Sequence, residues 1–158
     1  MDIFQNILMG FRVALSLQNL LFSFVGVTLG TLIGVLPGIG PVTGVAILIP
    51  ITFGLNPTTA IITMAGVYYG AMYGGSTTSI LINVPGESSS VMTTLDGYQM
   101  AKKGRAGPAL GMAAFSSFIA GTFAVVLLTF IAPPLANVAL SFGPPEYFAL
   151  TFMGLTLV

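Results

Sequence analysis

The sequence contains no cysteine, no tryptophan and no histidine. Without cysteine there is neither a disulfide framework nor thiol chemistry. Without cysteine and histidine together, zinc-type metal sites and histidine-based acid–base catalysis are excluded. Charge is nearly as scarce. Of 158 residues, 5% are charged and 55% hydrophobic, whereas a soluble domain carries about 25% charged residues because its surface faces water. The charges are Asp2, Arg12, Glu87, Asp96, Lys102, Lys103, Arg105 and Glu146, with a formal net charge of zero. That balance offers no hold to nucleic acid or another polyanion. Acidic side chains are too sparse for a paired-carboxylate site, so no catalytic residue and no metal ligand is assigned and an enzyme is not expected.

What is present is apolar sequence, with a mean hydropathy of +1.01. Residues 13–86 and 106–145 carry no charge at all. A crossing needs about 20 apolar residues, so the first gap holds up to about three and the second one or two. The expected fold class is therefore all-α, a polytopic transmembrane helical bundle. Arg12 followed by an apolar run has the order of a signal peptide. The run continues through Val35 without a small-residue cleavage site, so it reads as a retained span. The apolar stretch that begins near Tyr147 is still running at Val158, the pattern expected of a partial chain.

Residues 1–17 read as an amphipathic lead-in, with Phe4, Ile7, Leu8, Phe11 and Leu15 at helical spacing. Spans are expected at about 20–36, 58–84, 108–132 and 146–158, with Pro133 and Pro134 ending the third. Residues 41–55, interrupted by Pro50, are too short for a comfortable crossing and read as re-entrant or short helices. Residues 87–107 form the hydrophilic loop. Inside it a short helix is expected over Leu95–Lys103, with Thr93 or Thr94 as N-cap and Gly104 as C-cap. Lys102, Lys103 and Arg105 put this loop in the cytoplasm, and Arg12 puts the N-terminus there too. An even number of crossings then lies between them, satisfied by 20–36 and 58–84. Glycines 26, 30, 34 and 38 recur every fourth residue, as do 66, 70 and 74 (continued by Thr78) and the small residues Ala109, Ala113, Ser117 and Gly121. Such stripes allow close helix packing in lipid and by themselves say nothing about transport.

Two segments carry possible chemistry. Gly34-Val-Leu-Pro-Gly-Ile-Gly-Pro-Val-Thr-Gly44 cannot stay a regular helix. If Pro41 opens a new helix, the N–H groups of Val42, Thr43 and Gly44 face the break and form a cradle for a carboxylate. A tight turn outside the membrane is the equal alternative. Tyr73-Gly-Gly-Ser-Thr-Thr-Ser79, running on to Asn83-Val-Pro-Gly-Glu87, places four hydroxyl residues in an uncharged stretch. At a helix break they would hold Na⁺ or substrate oxygens. In an intact helix they would bond back to carbonyls one turn earlier. Interrupted apolar segments of this kind are the sequence mark of secondary transporters. Tyr68, Tyr69 and Tyr73 read first as interfacial anchors. Glu87 reads first as a solvated loop residue, and second as a coupling-ion ligand.

Five stretches stand in a recognisable order: Gly34–Pro41, Thr52-Phe-Gly-Leu-Asn-Pro57, Tyr68-Tyr-Gly-Ala-Met-Tyr-Gly-Gly-Ser-Thr-Thr-Ser-Ile-Leu81, Asn83-Val-Pro-Gly-Glu87, and Asp96-Gly-Tyr-Gln-Met-Ala101 with Gly104-Arg-Ala-Gly107. In this order they resemble the large membrane subunit (TctA type) of the bacterial tripartite tricarboxylate transporters, over about residues 20–155. In length the chain resembles the N-terminal third or so of such a subunit. The resemblance implies a multi-pass protein of the bacterial inner membrane, surrounded by lipid. It also implies two partners, a small membrane subunit and a periplasmic solute-binding protein. No cofactor is implied beyond the coupling ion, Na⁺ or H⁺. The expected function is import of di- or tricarboxylates or similar organic anions by cation symport. A channel-like or a structural subunit is the alternative. Gly38, Gly40, Thr43, Gly44, Ser76 and Thr77 are the expected substrate contacts, and Thr78, Ser79 and Asn83 the expected cation ligands.

Overall fold

The structure, a computed structural model, describes residues 3–156, with side chains from residue 5 onward. The side chain of Phe4 in the lead-in stripe, residues 1 and 2, and the last two residues of span 146–158 lie outside the described residues. Among these residues there are seven α-helices, one 3₁₀ segment and no strand. The chain divides into two compact units, Met1–Phe115 and Ser116–Val158.

In the first unit, helix α1 (Ile3–Ala14) leads into α2 (Leu17–Gly34). Ser16 caps α2 by accepting the Asn19 N–H at 3.4 Å, which starts the helix three residues before the apolar run alone suggests. Helix α3 (Pro41–Leu48) and the 3₁₀ segment Ile49–Gly54 follow the Pro/Gly break. Helix α4 (Pro57–Ile82) opens on Asn56, whose side chain accepts the Thr59 N–H at 2.9 Å, with Pro57 in the first turn where no N–H is missed.

Helices α2 and α4 interlock through their glycines. A Cβ on Gly26, Gly30 or Gly34 would run into the backbone of Thr63, Val67 or Ala71 respectively. Reciprocally, a Cβ on Gly66, Gly70 or Gly74 would meet the carbonyls of Ser23, Val27 and Thr31. The partners rise together along both helices, so α2 and α4 run in the same direction. This corrects the even-crossing scheme, in which 20–36 and 58–84 ran oppositely; residues 41–55, expected as re-entrant or short helices, form one short α-helix and a 3₁₀ segment. The single charge of Arg12 was too weak a guide against a glycine interface that fixes direction. Segment 41–54 instead returns alongside α4. Gly44 lies at the level of Val67, and Pro41 and Val42 lie with Tyr68 and Met72.

A buried polar knot secures the lower end of this pair. The Thr59 hydroxyl donates to Asn19 Oδ1 at 2.6 Å, and Asn19 Nδ2 donates to the Val13 carbonyl at 2.8 Å. Asn19 and Thr59 are both buried. Asn19→Ala is expected to destabilise the protein by about 1–3 kcal/mol, because the Thr59 hydroxyl is left buried without its acceptor. Unfolding of the purified variant in detergent measures this, and an unchanged melting temperature would contradict it.

Helix α4 is continuous through Gly74–Ser79, where a break was an open reading. Ser76 and Thr77 donate to the carbonyls of Met72 and Tyr73, and Thr78 and Ser79 both donate to Gly75 O. Each hydroxyl is satisfied one turn back, which removes the penalty of a bare polar group without opening the helix. The helix ends at Asn83 in the left-handed region, φ 61°, a conformation asparagine tolerates better than most residues. Helix α5 (Val91–Lys102) begins four residues earlier than the sequence pattern indicates, because Ser90 already organises the turn before it. Gly104 (φ 76°) and Arg105 close it with bonds to the carbonyls of Ala101 and Met100, a Schellman cap.

Helix α6 (Ala106–Leu140) runs through Pro133 and Pro134 instead of stopping there. Two adjacent prolines withdraw only the N–H groups aimed at Thr129 and Phe130, while their fixed φ remains helical. In the second unit, Glu146 Oε2 accepts the Gly143 N–H at 2.8 Å and sits in the first turn of α7 (Pro144–Thr156). This is the reach-back half of a capping box.

Helices α2 and α6 are each long and apolar enough to cross a membrane. Helix α4 is longer than α2 but more polar, with Thr, Ser and Gly along its length. Bulky side chains such as Phe118 and Phe130 on α6 stand 73% and 75% exposed. An all-α membrane protein accounts for such a surface, since lipid is as apolar as the side chains it meets.

Candidate functional site

Two non-helical segments of the first unit meet beside the middle of α4. The first is the break after α2. Its backbone turns at Gly38, with φ 84°, a conformation that costs an L-residue roughly 1–2 kcal/mol. Gly40 is then the extended N-cap residue and Pro41 the first residue of α3. The second is the segment after α4, which folds back on the helix it has just left. A Cβ on Gly86 would sit 2.5 Å from Gly75 Cα and 2.7 Å from the Gly34 carbonyl oxygen. Only three bare backbones pack this closely.

Between these segments lies a cleft of about 680 Å³. The break contributes Gly38, Gly40, Pro41 and Val42, α4 contributes Tyr68 and Met72, and the folded-back segment contributes Pro85 to Ser89. Tyr68 and Met72 lie near the midpoint of a helix about 39 Å long at 1.5 Å per residue. The first N–H groups of α3 are unspent. Pro41 has none, and no side chain caps those of Val42 and Thr43. They carry the positive end of the helix and suit an anion. Glu87 supplies the charged side chain among the lining residues, and the Ser89 hydroxyl donates to its Oε1 at 2.6 Å.

The structure divides the residues singled out from the sequence. Gly38 and Gly40 line the cleft. Thr43 is exposed on the first turn of α3. Gly44 is not a free donor, because its N–H reaches the Gly40 carbonyl at 3.0 Å. A Cβ there would press on Ile33 Cγ2 at 3.2 Å, so Gly44 serves packing. Ser76, Thr77, Thr78, Ser79 and Asn83 do not line the cleft. The four hydroxyls sit on the last turns of α4 with their protons committed, and Asn83 is the exposed helix cap. Met72, Gly86, Ser88 and Ser89 do line it, and sequence reading missed them. Gly86, Ser88 and Ser89 read as parts of a solvent-facing loop, and Met72 as an ordinary apolar residue of a helix. The one available signal was the second Gly–Pro cluster, Pro85-Gly86, at the end of a long helix.

Residues 20–158 match the model of the tripartite tricarboxylate transporter TctA family. The chain is also similar to an uncharacterised 52.8 kDa protein of the TAR-I ttuC' 3' region of Agrobacterium vitis. The two are 61% identical over 155 residues, which cover 98% of this chain and 31% of that protein. The chain thus spans less than a third of the length of that relative. No solved structure matches it.

Proposed function

The chain belongs to the tripartite tricarboxylate transporter TctA family, and from that membership we propose that it forms part of the large, multi-pass subunit of a secondary transporter in the bacterial inner membrane. Its work is to import di- or tricarboxylates or similar organic anions with a symported cation. A periplasmic binding protein delivers the solute, and a small membrane subunit completes the complex. The observation that carries this reading is the cleft beside α4, where the break brings Gly38 and Gly40 together with the first turn of α3, whose Val42 N–H no side chain caps. Irregular backbone at membrane depth persists where it is buried in protein or lines a watery cavity, and half-helix N-termini are the usual seats of substrate carboxylates.

In this reading one carboxylate of the solute rests at Gly38, Gly40 and the first turn of α3. The test is Gly40→Leu in the full-length subunit. Gly40 lines the cleft and a Cβ there meets nothing within 4 Å, so leucine is expected to take up cleft space while the fold stays intact. Binding-protein-dependent uptake is expected to fall at least about tenfold, equivalent to roughly 1.4 kcal/mol of lost binding, with insertion unchanged. Normal uptake by this variant would remove the cleft from consideration. Uphill accumulation by the wild type separates the transporter from a passive channel.

A further inference from the structure

A carboxylate substrate placed at the N-terminus of α3 shares its cleft with a second carboxylate, that of Glu87. Among the described residues, no lysine or arginine lines the cleft to offset it. In the sequence, Glu87 is the single charge between Arg12 and Asp96. Like charges sharing one cleft repel, so an ionised Glu87 disfavours the anion that the cleft is meant to admit. We propose that Glu87 is the coupling group of the transporter. It takes up the symported cation, H⁺ or Na⁺, and its neutralisation is what permits the substrate carboxylate to bind.

The local structure holds this carboxylate in place. The buried Ser90 fixes the backbone of Glu87 from both sides, with its hydroxyl donating to the Glu87 carbonyl at 2.9 Å and accepting the Glu87 N–H at 3.3 Å. The Ser89 hydroxyl holds Oε1. The side chain lies over Gly75, where a Cβ would come within 3.1 Å of Glu87 Cγ, so the bare backbone of α4 makes room for it. The other titratable side chain lining the cleft is Tyr68 of α4. The lining residues of the break and α3 (Gly38, Gly40, Pro41, Val42) and of α5 (Val91) carry no ionisable side chain. A neutralising charge therefore has to arrive from solution, and the carboxylate and hydroxyl oxygens of Glu87 and Ser89 are the hard ligands that either cation accepts. On release of the cation the carboxylate is restored and repels the anion, which ties the two departures together.

This inference rests on the cleft being the substrate site, and the experiment separates the two. The full-length subunit, with its small membrane partner, is reconstituted into liposomes and supplied with the binding protein. The solute is a labelled di- or tricarboxylate that the wild type accumulates. The Na⁺ concentration is varied at fixed pH, and pH is varied without Na⁺; the arm to which the wild type responds identifies the coupling ion. Glu87→Gln copies the neutralised state. It is expected to exchange internal for external solute without responding to either arm, while gradient-driven accumulation falls at least about tenfold. Glu87→Asp is expected to keep the cation response. The proposal is overturned if Glu87→Gln still accumulates solute, if its exchange still follows the cation, or if exchange and accumulation vanish together. If Gly40→Leu transports normally, the cleft reading itself fails. If Gly40→Leu is inactive and Glu87→Gln behaves as wild type, the coupling assignment alone fails.

Discussion

Replacing Gly30 by leucine is expected to prevent α2 and α4 from closing on each other, with loss of the folded first unit. Gly30 faces the backbone of Val67, and a Cβ placed there would overlap its carbonyl oxygen and approach its Cα within 2.7 Å. Side chains yield to an intruding group by changing rotamer, but a helix backbone yields only by moving as a whole. Even Gly30→Ala is therefore expected to cost about 1–3 kcal/mol. Leucine adds three more heavy atoms to the same overlap. Helix association in lipid rests on close van der Waals contact and gains little from burial, so separating the pair forfeits most of what holds it. Heating the detergent-solubilised full-length subunit, with an SDS-resistance assay beside it, reads the effect. Gly111→Ala is the matched control. Nothing lies within 4 Å of a Cβ there, and the change is expected to stay within about 0.5 kcal/mol of neutral. Equal stability of Gly30→Leu and Gly111→Ala would refute the interlocked pair.

The second large effect is expected at Gly86, where the consequence is functional more than structural. Gly86 seals the cleft floor by touching Gly75 and the Gly34 carbonyl at once. Gly86→Val forces the segment Pro85–Ser89 off α4 and carries Glu87 and Ser89 with it. The α2–α4 contacts from Ser23 to Thr31 do not involve this segment. Uptake is expected to fall about a hundredfold, the scale on which a displacement of about 1 Å in a site is felt, while the melting temperature falls less than for Gly30→Leu. A variant that transports normally would show that the folded-back segment has no part in the site.

The two substitutions also show what could be read without coordinates. Scarcity of charge identifies a membrane protein because water tolerates no such surface, and a four-residue glycine repeat marks a helix face whatever its partner. Pro37, Gly38, Gly40 and Pro41 cannot all be helical, so that interruption is dictated locally. Direction was not legible, because the glycine stripes of α2 and α4 match equally well in either sense and one arginine had to decide. Nor was the state of Ser76–Ser79. The same hydroxyls that would ligate ions at a break also bond to the Met72, Tyr73 and Gly75 carbonyls in an intact helix. The choice depends on what packs around Thr78 and Ser79, both buried. Glu87 was legible only as a second choice, a coupling-ion ligand behind a solvated loop residue. A charged residue after a helix reads as facing water, and its return onto α4 at Gly75 depends on the fit of Gly86 against both Gly75 and the distant Gly34.

The shared direction of α2 and α4 has a bearing on biogenesis. The fourteen residues of α3 and the 3₁₀ segment, Pro41–Gly54, form the strand of the path that brings the chain back, and they rest chiefly on a helix not yet synthesised when they leave the ribosome. At about 1.5–2.0 Å per residue they are too short to anchor firmly as an independent crossing. The return segment is therefore expected to settle only once Pro57–Ile82 has docked along α2. Final packing of this region is thus expected to depend on closure of the glycine seam between α2 and α4.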